Sequence, residues 1–423
     1  MRLRHLHCAW LAALLLASEV ASAQSPRPAS PELGDSLASV LTYLEARNPE
    51  LRAMSLESDA AQQRLRGAGA LPDPILQMEL RDIPISEPTL SPANAGNTRY
   101  SLRQMFPLGD KRELRRGIAA SEAAAADARR SATVVDIRMR AKVAYSQYWY
   151  AGQAQAVTEQ LRALMADLEQ GARARYGSGL APQQDAIKAQ TELTTMRADL
   201  VMLGSERRQA AARLNGVLAR PADAPLADPR ELRPVPPRAL DFAGLVRGAS
   251  TNNPTLALSM AQISTSERNA ELMRANRVPD LGIGLGVIQK GTRLTDYEVM
   301  FEVNIPWQTD VIRASVNEAQ AMSGAAAARR DAAALQLQSE LGQNWAALDA
   351  LREQGQILRS TLLPQVELTF ESALVGYQTG RVDFATLLDA QRQIRRTRLD
   401  LLKIDLEQQM RLAEIERLVG EDL

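Results

Sequence analysis

The pattern of apolar and polar positions changes period along this chain and then repeats in the same order. Two stretches, 35–218 and 239–420, each open with helical periodicity, continue with two short alternating runs, and close with two long helical runs around a tight turn. Periods of 3.6 and of two residues indicate helices and strands, respectively. The sequence therefore predicts one duplicated unit, with a proline-rich connector at 219–238 between the copies.

Long helices dominate both predicted units. They are predicted at about 110–175, 182–218, 310–375 and 383–419. At 1.5 Å per residue, the longest of them would extend for about 100 Å, so they cannot fold into a compact globule. An Asn-Pro step also breaks each earlier helical segment, because the residue before proline leaves the helical region. These broken segments are 35–70 and 239–276.

Four short runs alternate apolar residues with polar or small ones, as in a sheet with one apolar face. They predict strands at about 73–83, 98–106, 280–289 and 296–305. Their length is that of a transmembrane β-strand, about 9–11 residues, although a half-buried sheet in a soluble protein has the same pattern. The polar face of the third run consists of Gly282, Gly284 and Gly286, which would keep a pore open or permit close packing.

Four strands cannot close a barrel, and lipid does not tolerate an open sheet edge. If these strands lie in a membrane, several chains must contribute to one barrel. A channel needs more than about eight strands, and three chains would supply about twelve.

Two tight turns, at 175–182 and 376–383, separate the long helices of each unit. A glycine in mid-turn supplies the positive φ that ends the first helix, and a periodic apolar run then starts the next. The turns share residues at an offset of 201, in the pairs Tyr176–Tyr377, Gly179–Gly380, Ala189–Ala390 and Gln190–Gln391. Each turn is therefore the tip of a helical hairpin, and the repetition favours a common role.

Composition agrees with an elongated helical protein. Aromatic residues make up only 4% of the chain although 45% of its residues are hydrophobic, so that Ala and Leu supply the apolar content, as in long helices. At the start, Arg2 and Arg4 precede an apolar run and a small-residue cleavage site. This predicts a signal peptide at 1–23, followed by an N-terminal extension at 24–34.

Removing the predicted signal peptide also removes every cysteine and histidine, namely Cys8, His5 and His7. Ser–His and Cys–His catalysis and thiolate–imidazole metal sites are thereby excluded, and we expect neither an enzyme nor a cofactor. Methionines on the predicted strands, Met78, Met105 and Met300, could touch a soft metal but are more typical of packing. The 50 basic and 50 acidic residues balance, so nothing indicates a nucleic-acid partner.

The cleaved signal, the duplicated unit and the paired tips together resemble the outer-membrane efflux proteins, the TolC-like family, over about residues 35–420. Two further runs are similar to junctions in members that serve heavy-metal efflux pumps. They are Phe106-Pro107-Leu108-Gly109-Asp110-Lys111-Arg112 and Leu71-Pro72-Asp73-Pro74.

The resemblance implies a mainly α fold with a small β part. Four strands per chain would contribute to a trimeric β-barrel of about twelve strands in the outer membrane, continued by a long α-helical barrel in the periplasm. It also implies the exit duct of a tripartite efflux system. Such a duct passively exports metal cations or small toxic compounds, delivered by a periplasmic adaptor and an inner-membrane pump of the resistance-nodulation-division class.

In that family the tips dock onto the adaptor. The matching positions are Ser178, Gly179, Leu180, Thr379, Gly380 and Arg381. Asp185 and Tyr377 match an acidic residue and a tyrosine whose hydrogen bond closes the tunnel, whereas Val382 stands where a basic residue completes that latch. Asp389 matches one member of an acidic ring at the entrance, and Thr386 occupies the other position.

A soluble periplasmic coiled-coil scaffold is the alternative that the helical composition leaves open. It would share the Ala-rich windows, such as 123–128 and 325–334. It would not need strands of bilayer length with one apolar face, so the strands discriminate between the two functions.

Overall fold

The computed structural model describes residues 33–83 and 85–423. The predicted signal peptide and most of the predicted extension lie outside these residues. Within them, the first half of the chain contains α1 (Leu37–Arg47), α2 (Pro49–Gly67), β1 (Ile75–Arg81), β2 (Asn97–Phe106), α3 (Lys111–Gly177) and α4 (Gln183–Val217). The second half contains α5 (Phe242–Asn252), α6 (Pro254–Ala275), β3 (Asp280–Lys290), β4 (Arg293–Asn304), α7 (Thr309–Ile357), α8 (Leu363–Gln378) and α9 (Phe384–Val419).

The two Asn-Pro steps have the same structural role in each half. The Asn48 side chain accepts hydrogen bonds from the N–H groups at the start of α2 and donates one, of 3.0 Å, to the carbonyl of Val217. Asn253 caps α6 in the same way and donates to the carbonyl of Leu418 at 2.8 Å. Each asparagine therefore caps a helix and ties it to the end of the returning helix of its own half.

The long helices differ between the halves. Helix α3 continues for 67 residues without a break, which corresponds to about 100 Å. The single helix predicted at 310–375 is wrong in one respect, since a π-helical turn, Leu358–Leu362, separates α7 from α8. Pro364 follows at the start of α8. A proline ring clashes with the carbonyl four residues earlier, and a wider π turn at that point relieves the clash.

The four strands form one antiparallel sheet in the order β1-β2-β3-β4, so β2 and β3 join the two halves. The observed β1 is shorter than the run at 73–83, and β4 starts before the predicted position 296. The pairing register puts all the predicted apolar positions on one face and the glycines of β3 on the other. The predicted fold class, mainly helical with a small sheet, is confirmed.

Within the described ranges, three separate apolar clusters hold the helices together. One lies near the tips and joins both hairpins around the buried ring of Phe384. The second packs α1 against Tyr145 and Leu214, and the third packs α5 against Leu348 and Leu412. Each half therefore buries its first helix against its own hairpin, as expected for a duplicated unit.

The proline-rich connector is extended but held on both sides. The Ala227 N–H donates to the carbonyl of Leu33 at 2.9 Å, and the Gln409 side chain of α9 donates to the carbonyl of Arg233 at 2.7 Å. The connector thus fastens the two halves to each other.

Across 33–83 and 85–423, no helix combines the length and the apolar character that crossing a bilayer requires.

Candidate functional site

The first hairpin tip is closed by a left-handed glycine turn. The Leu180 N–H donates to the carbonyl of Arg175 at 2.8 Å, and the Gly179 N–H donates to that of Tyr176 at 3.0 Å. Gly179 has a φ of +74°. A residue just after a helix end needs such a positive φ for these two hydrogen bonds to form.

The second tip repeats this turn bond for bond. The Arg381 N–H donates to the carbonyl of Gly376 at 2.8 Å, the Gly380 N–H donates to that of Tyr377 at 3.1 Å, and Gly380 has a φ of +72°. A Cβ on either turn glycine would meet no atom within 4 Å, so backbone conformation rather than space demands glycine. The six residues expected to dock are all exposed: Ser178, Gly179, Leu180, Thr379, Gly380 and Arg381.

Asp185 and Tyr377 lie beside each other between the two hairpins. The Tyr377 ring is buried and packs edge-on against Phe384, with 5.3 Å between ring centroids. Burial raises the pKa of Tyr377, and the nearby Asp185 carboxylate raises it further. Desolvation likewise raises the pKa of Asp185. The Tyr377 hydroxyl nevertheless has no hydrogen-bond partner among the residues that the structure describes.

A basic residue does lie beside Asp185 and Tyr377. It belongs to the first tip, whereas the resemblance placed it at position 382 of the second. Arg175 donates to the carbonyl of Gln378 at 2.9 Å, and its guanidinium lies 5.0 Å from the centre of the Tyr377 ring. The equivalent position in the second tip is Gly376, where a Cβ would lie 2.9 Å from a Val382 methyl group. Val382 packs against the apolar cluster near the tips, and the cation beside the Tyr377 ring is Arg175. The sequence comparison of the tips missed Arg175. At the offset of 201 the two tips differ here, with arginine in the first and Gly376 in the second, and this difference could have drawn attention to Arg175.

Asp389 is exposed on α9, with its carboxylate 3.7 Å from the Arg392 guanidinium. Thr386, at the other expected ring position, donates both its N–H, at 2.9 Å, and its hydroxyl, at 2.6 Å, to Asp383 at the start of α9. These bonds lower the pKa of Asp383. Thr386 is thus part of a helix cap, while a ring of Asp389 side chains requires other copies of the chain.

A buried carboxylate further from the tips joins the two hairpins. Glu192 of α4 is only 3% exposed, and it accepts bonds from Arg392 of α9 at 2.7 and 3.0 Å. Arg395 lies 3.6 Å from the same carboxylate and pairs with Asp199 at 2.9 Å. Sequence reasoning missed this cluster, since its members look like solvated helix-face charges.

The sheet lies at the other end of α3, and its apolar face is exposed. Leu76 of β1 and Tyr297 and Phe301 of β4 lie on this face and are 76%, 88% and 71% exposed. Further exposed apolar residues on the same face are Met78, Leu102, Ile283, Leu285, Val299 and Val303. A soluble scaffold would leave this continuous apolar surface in water, which is unfavourable.

The junction between sheet and helix is held by a buried lysine. Lys111 is 4% exposed and donates to the Asp280 carboxylate and to the Val278 carbonyl, both at 2.7 Å. Gly109 and Asp110 turn the chain with positive φ just before it. The junction run quoted from the sequence therefore joins the start of α3 to the start of β3.

In the part of the chain that the structure describes, no cluster of three or more Cys, His, Asp or Glu side chains is arranged to hold a metal ion.

Comparison with known proteins agrees with this architecture. The model of the outer membrane efflux protein family matches residues 40–220 and 245–421. The cobalt-zinc-cadmium resistance protein CzcC of Cupriavidus metallidurans is 24% identical over 399 residues, covering 93% of this chain and 92% of CzcC.

Solved structures show the same fold. CusC, described as forming a transmembrane channel, has a TM-score of 0.78 at 15% identity, with 94% of this chain and 98% of CusC covered. The outer membrane protein VceC of Vibrio cholerae has a TM-score of 0.77 at 15% identity, with 91% of this chain and 96% of VceC covered. The predicted resemblance and the location in the outer membrane, with a helical tunnel in the periplasm, are confirmed. The scaffold alternative is not supported, and the chain belongs to the outer membrane efflux protein family.

Proposed function

We propose that three copies of this chain form the exit duct of a tripartite efflux system, joined to an inner-membrane pump of the resistance-nodulation-division class by a periplasmic adaptor. The observation that carries the proposal is a four-stranded sheet whose apolar face is exposed and whose edge strands, β1 and β4, pair on their outer sides with no strand among residues 33–83 and 85–423.

Free edges and an apolar face together define how copies must associate. Backbone groups at a sheet edge must be paired in lipid, so β4 of one copy needs β1 of the next. This head-to-tail contact makes a ring when the rotation closes. Three copies give about twelve strands, enough to leave a passage, whereas about eight strands are filled by side chains.

The tips suit docking of the adaptor. Both carry the same fixed turn, and both present its residues to solvent. Leu180 is 69% exposed at the first tip, and Arg381 is exposed at the equivalent place of the second. Leu180 can bury its apolar surface against a partner without first having to be ordered, and arginine is a residue type enriched among the strongest contacts of protein interfaces.

Metal cations or small toxic compounds are the proposed cargo. The relative CzcC is named for cobalt, zinc and cadmium resistance. Three exposed Asp389 carboxylates around a narrow mouth would raise the local concentration of cations, and salt would weaken this effect. A duct needs no tight site, since tight binding would slow release.

Chemical cross-linking tests the trimer directly, since the chain after residue 23 contains no cysteine. Cysteines are placed at Met78 on β1 and, in turn, at Tyr297, Val299 or Phe301 on β4, and outer membranes are treated with a short bis-maleimide. We expect a ladder that ends at the trimer for at least one pair, and monomers for each single-cysteine control. Monomers throughout, with the protein in the soluble periplasmic fraction, would contradict the proposal.

Closure of the tunnel is proposed to depend on Arg175 and its contacts with the Tyr377 ring and the Gln378 carbonyl, rather than on a bond between the Tyr377 hydroxyl and Asp185. Arg175→Ala removes the hydrogen bond to Gln378 and a cation–π contact worth about 0.5–2 kcal/mol, so the conductance of the purified channel in planar bilayers should rise. Tyr377→Phe is the matched control, since it retains the ring and loses only an unbonded hydroxyl. A conductance that rises in Tyr377→Phe but not in Arg175→Ala would show that the hydroxyl and Asp185 close the tunnel instead.

A further inference from the structure

Two ion pairs on the polar face of the sheet connect strands that are not neighbours. Arg99 of β2 donates to Glu298 of β4, and Arg103 of β2 donates to Glu302 of β4. Strand β3 lies between β2 and β4 throughout. Both pairs therefore cross over β3 on the face opposite the exposed apolar surface.

The glycines of β3 make these crossings possible. Gly286 is paired with Glu298, and a Cβ on it would lie 3.5 Å from a Glu298 carboxylate oxygen and 3.0 Å from the Tyr100 carbonyl. A Cβ on Gly282 would lie 3.1 Å from the Glu302 Cβ and 2.8 Å from the sulfur of Met105. The glycine column is thus not open space, since side chains from β2 and β4 fold over it. This favours close packing over the alternative of glycines that only widen a pore.

The crossing pairs cancel the charge of this face. Glu79 of β1 lies 3.9 Å from Arg99 and 2.9 Å from Arg81, so the paired charges continue from β4 and β2 to β1. The four side chains of the crossing pairs are between 22% and 43% exposed. Pairs this accessible contribute only about 0–1 kcal/mol to stability. The larger consequence of these pairs is electrostatic, because the same arginines or glutamates without their partners would create a strong local potential.

We propose that the Arg99–Glu298 and Arg103–Glu302 pairs set the charge selectivity of the barrel passage, by holding its wall neutral so that cationic, neutral and anionic cargo all leave. The inference rests on the proposed function, in which this face lines the interior of the trimeric barrel. In a trimer, loss of one partner from both pairs leaves six like charges around the wall. Such a ring enriches the oppositely charged ion and excludes the other.

Reversal potentials of the purified trimer in planar bilayers, under a KCl gradient at low salt, test this proposal. Glu298→Gln with Glu302→Gln should shift the cation-to-anion permeability ratio toward anions by about 3- to 10-fold, and Arg99→Gln with Arg103→Gln should shift it toward cations. Raising the salt should reduce both shifts. Glu87→Gln, in the exposed β1–β2 connection outside the sheet, is the matched control and should leave the ratio unchanged.

The variant with all four substitutions is the decisive measurement, because it lacks both signs of charge and should return to the wild-type ratio. A merely structural role would not predict opposite shifts or this recovery. Unchanged ratios in both double variants, or shifts of the same sign, would overturn the proposal. If a double variant does not assemble, Glu302→Gln alone should give a smaller shift toward anions. A failure of the proposed function would look different, since wild-type protein would then form neither a cross-linked trimer nor a conducting channel.

Discussion

Leu180→Asp is expected to reduce resistance to the exported toxic compound to the level of a deletion strain, while trimers still reach the outer membrane. The side chain is 69% exposed, and its own N–H closes the turn on Arg175 at 2.8 Å, so it projects from a fixed position. Replacing an apolar anchor by a carboxylate that must lose its water costs more than about 3 kcal/mol in the docked state, or over a hundredfold in affinity. Minimum inhibitory concentrations and the amount of trimer in outer membranes are the two measurements.

A matched substitution at the other end of the chain is the control for this experiment. Leu90→Asp changes a residue that is 88% exposed in the β1–β2 connection, about 100 Å of helix away from the tips, and should preserve resistance. Gly179→Pro and Gly380→Pro should repeat the loss, since proline cannot adopt a φ of +74° or +72°. Wild-type resistance in Leu180→Asp would show that the first tip does not carry the docking contact.

Local signals in the sequence account for most of the fold. Gly179 and Gly380 have a positive φ just after a helix end. The preference for glycine at such a φ depends only on the local turn. Asn48 and Asn253 mark helix starts because the bonds that cap a helix connect residues two and three positions apart. The alternation in the strands predicted both faces of the sheet, since a period of two fixes which side chains share a face.

Such local signals could not predict the contacts between the two halves. Arg175 meets Gln378 across 203 residues, and Glu192 meets Arg392 across 200. Which charges on a long helix turn inward depends on how the helices wind around one another, and a single helical pattern does not contain this information. The tip pair Asp185 and Tyr377 was named from family resemblance, but the missing hydrogen bond and the cation from the first tip come only from the three-dimensional arrangement.

The same long-range geometry builds a buried ionic network around Glu416 near the end of α9. Glu416 is 2% exposed and accepts bonds from Lys142 at 2.7 Å and from both Arg233 amino groups at 2.6 and 2.7 Å. Asp422 contacts the same lysine. Burial alone would raise the pKa of Asp422, but Lys142, Arg138 and Arg233 hold it below its usual range. This stabilisation is therefore complete above the ordinary pKa of an aspartate and is lost as the pH falls through the lowered value.

Glu416→Ala should lower the free energy of unfolding by about 3–5 kcal/mol, because it leaves a buried lysine and an arginine without their shared carboxylate. Urea-induced loss of helical circular dichroism in detergent measures the change. Glu407→Ala on the same helix is the matched control: its side chain is 43% exposed and lies 4.0 Å from Lys403, so the change should stay within about 0.5 kcal/mol. Equal unfolding midpoints for the two variants would contradict this assignment. The connector and the C-terminal residues would then be held by the apolar contacts of α5 and α9 rather than by the network.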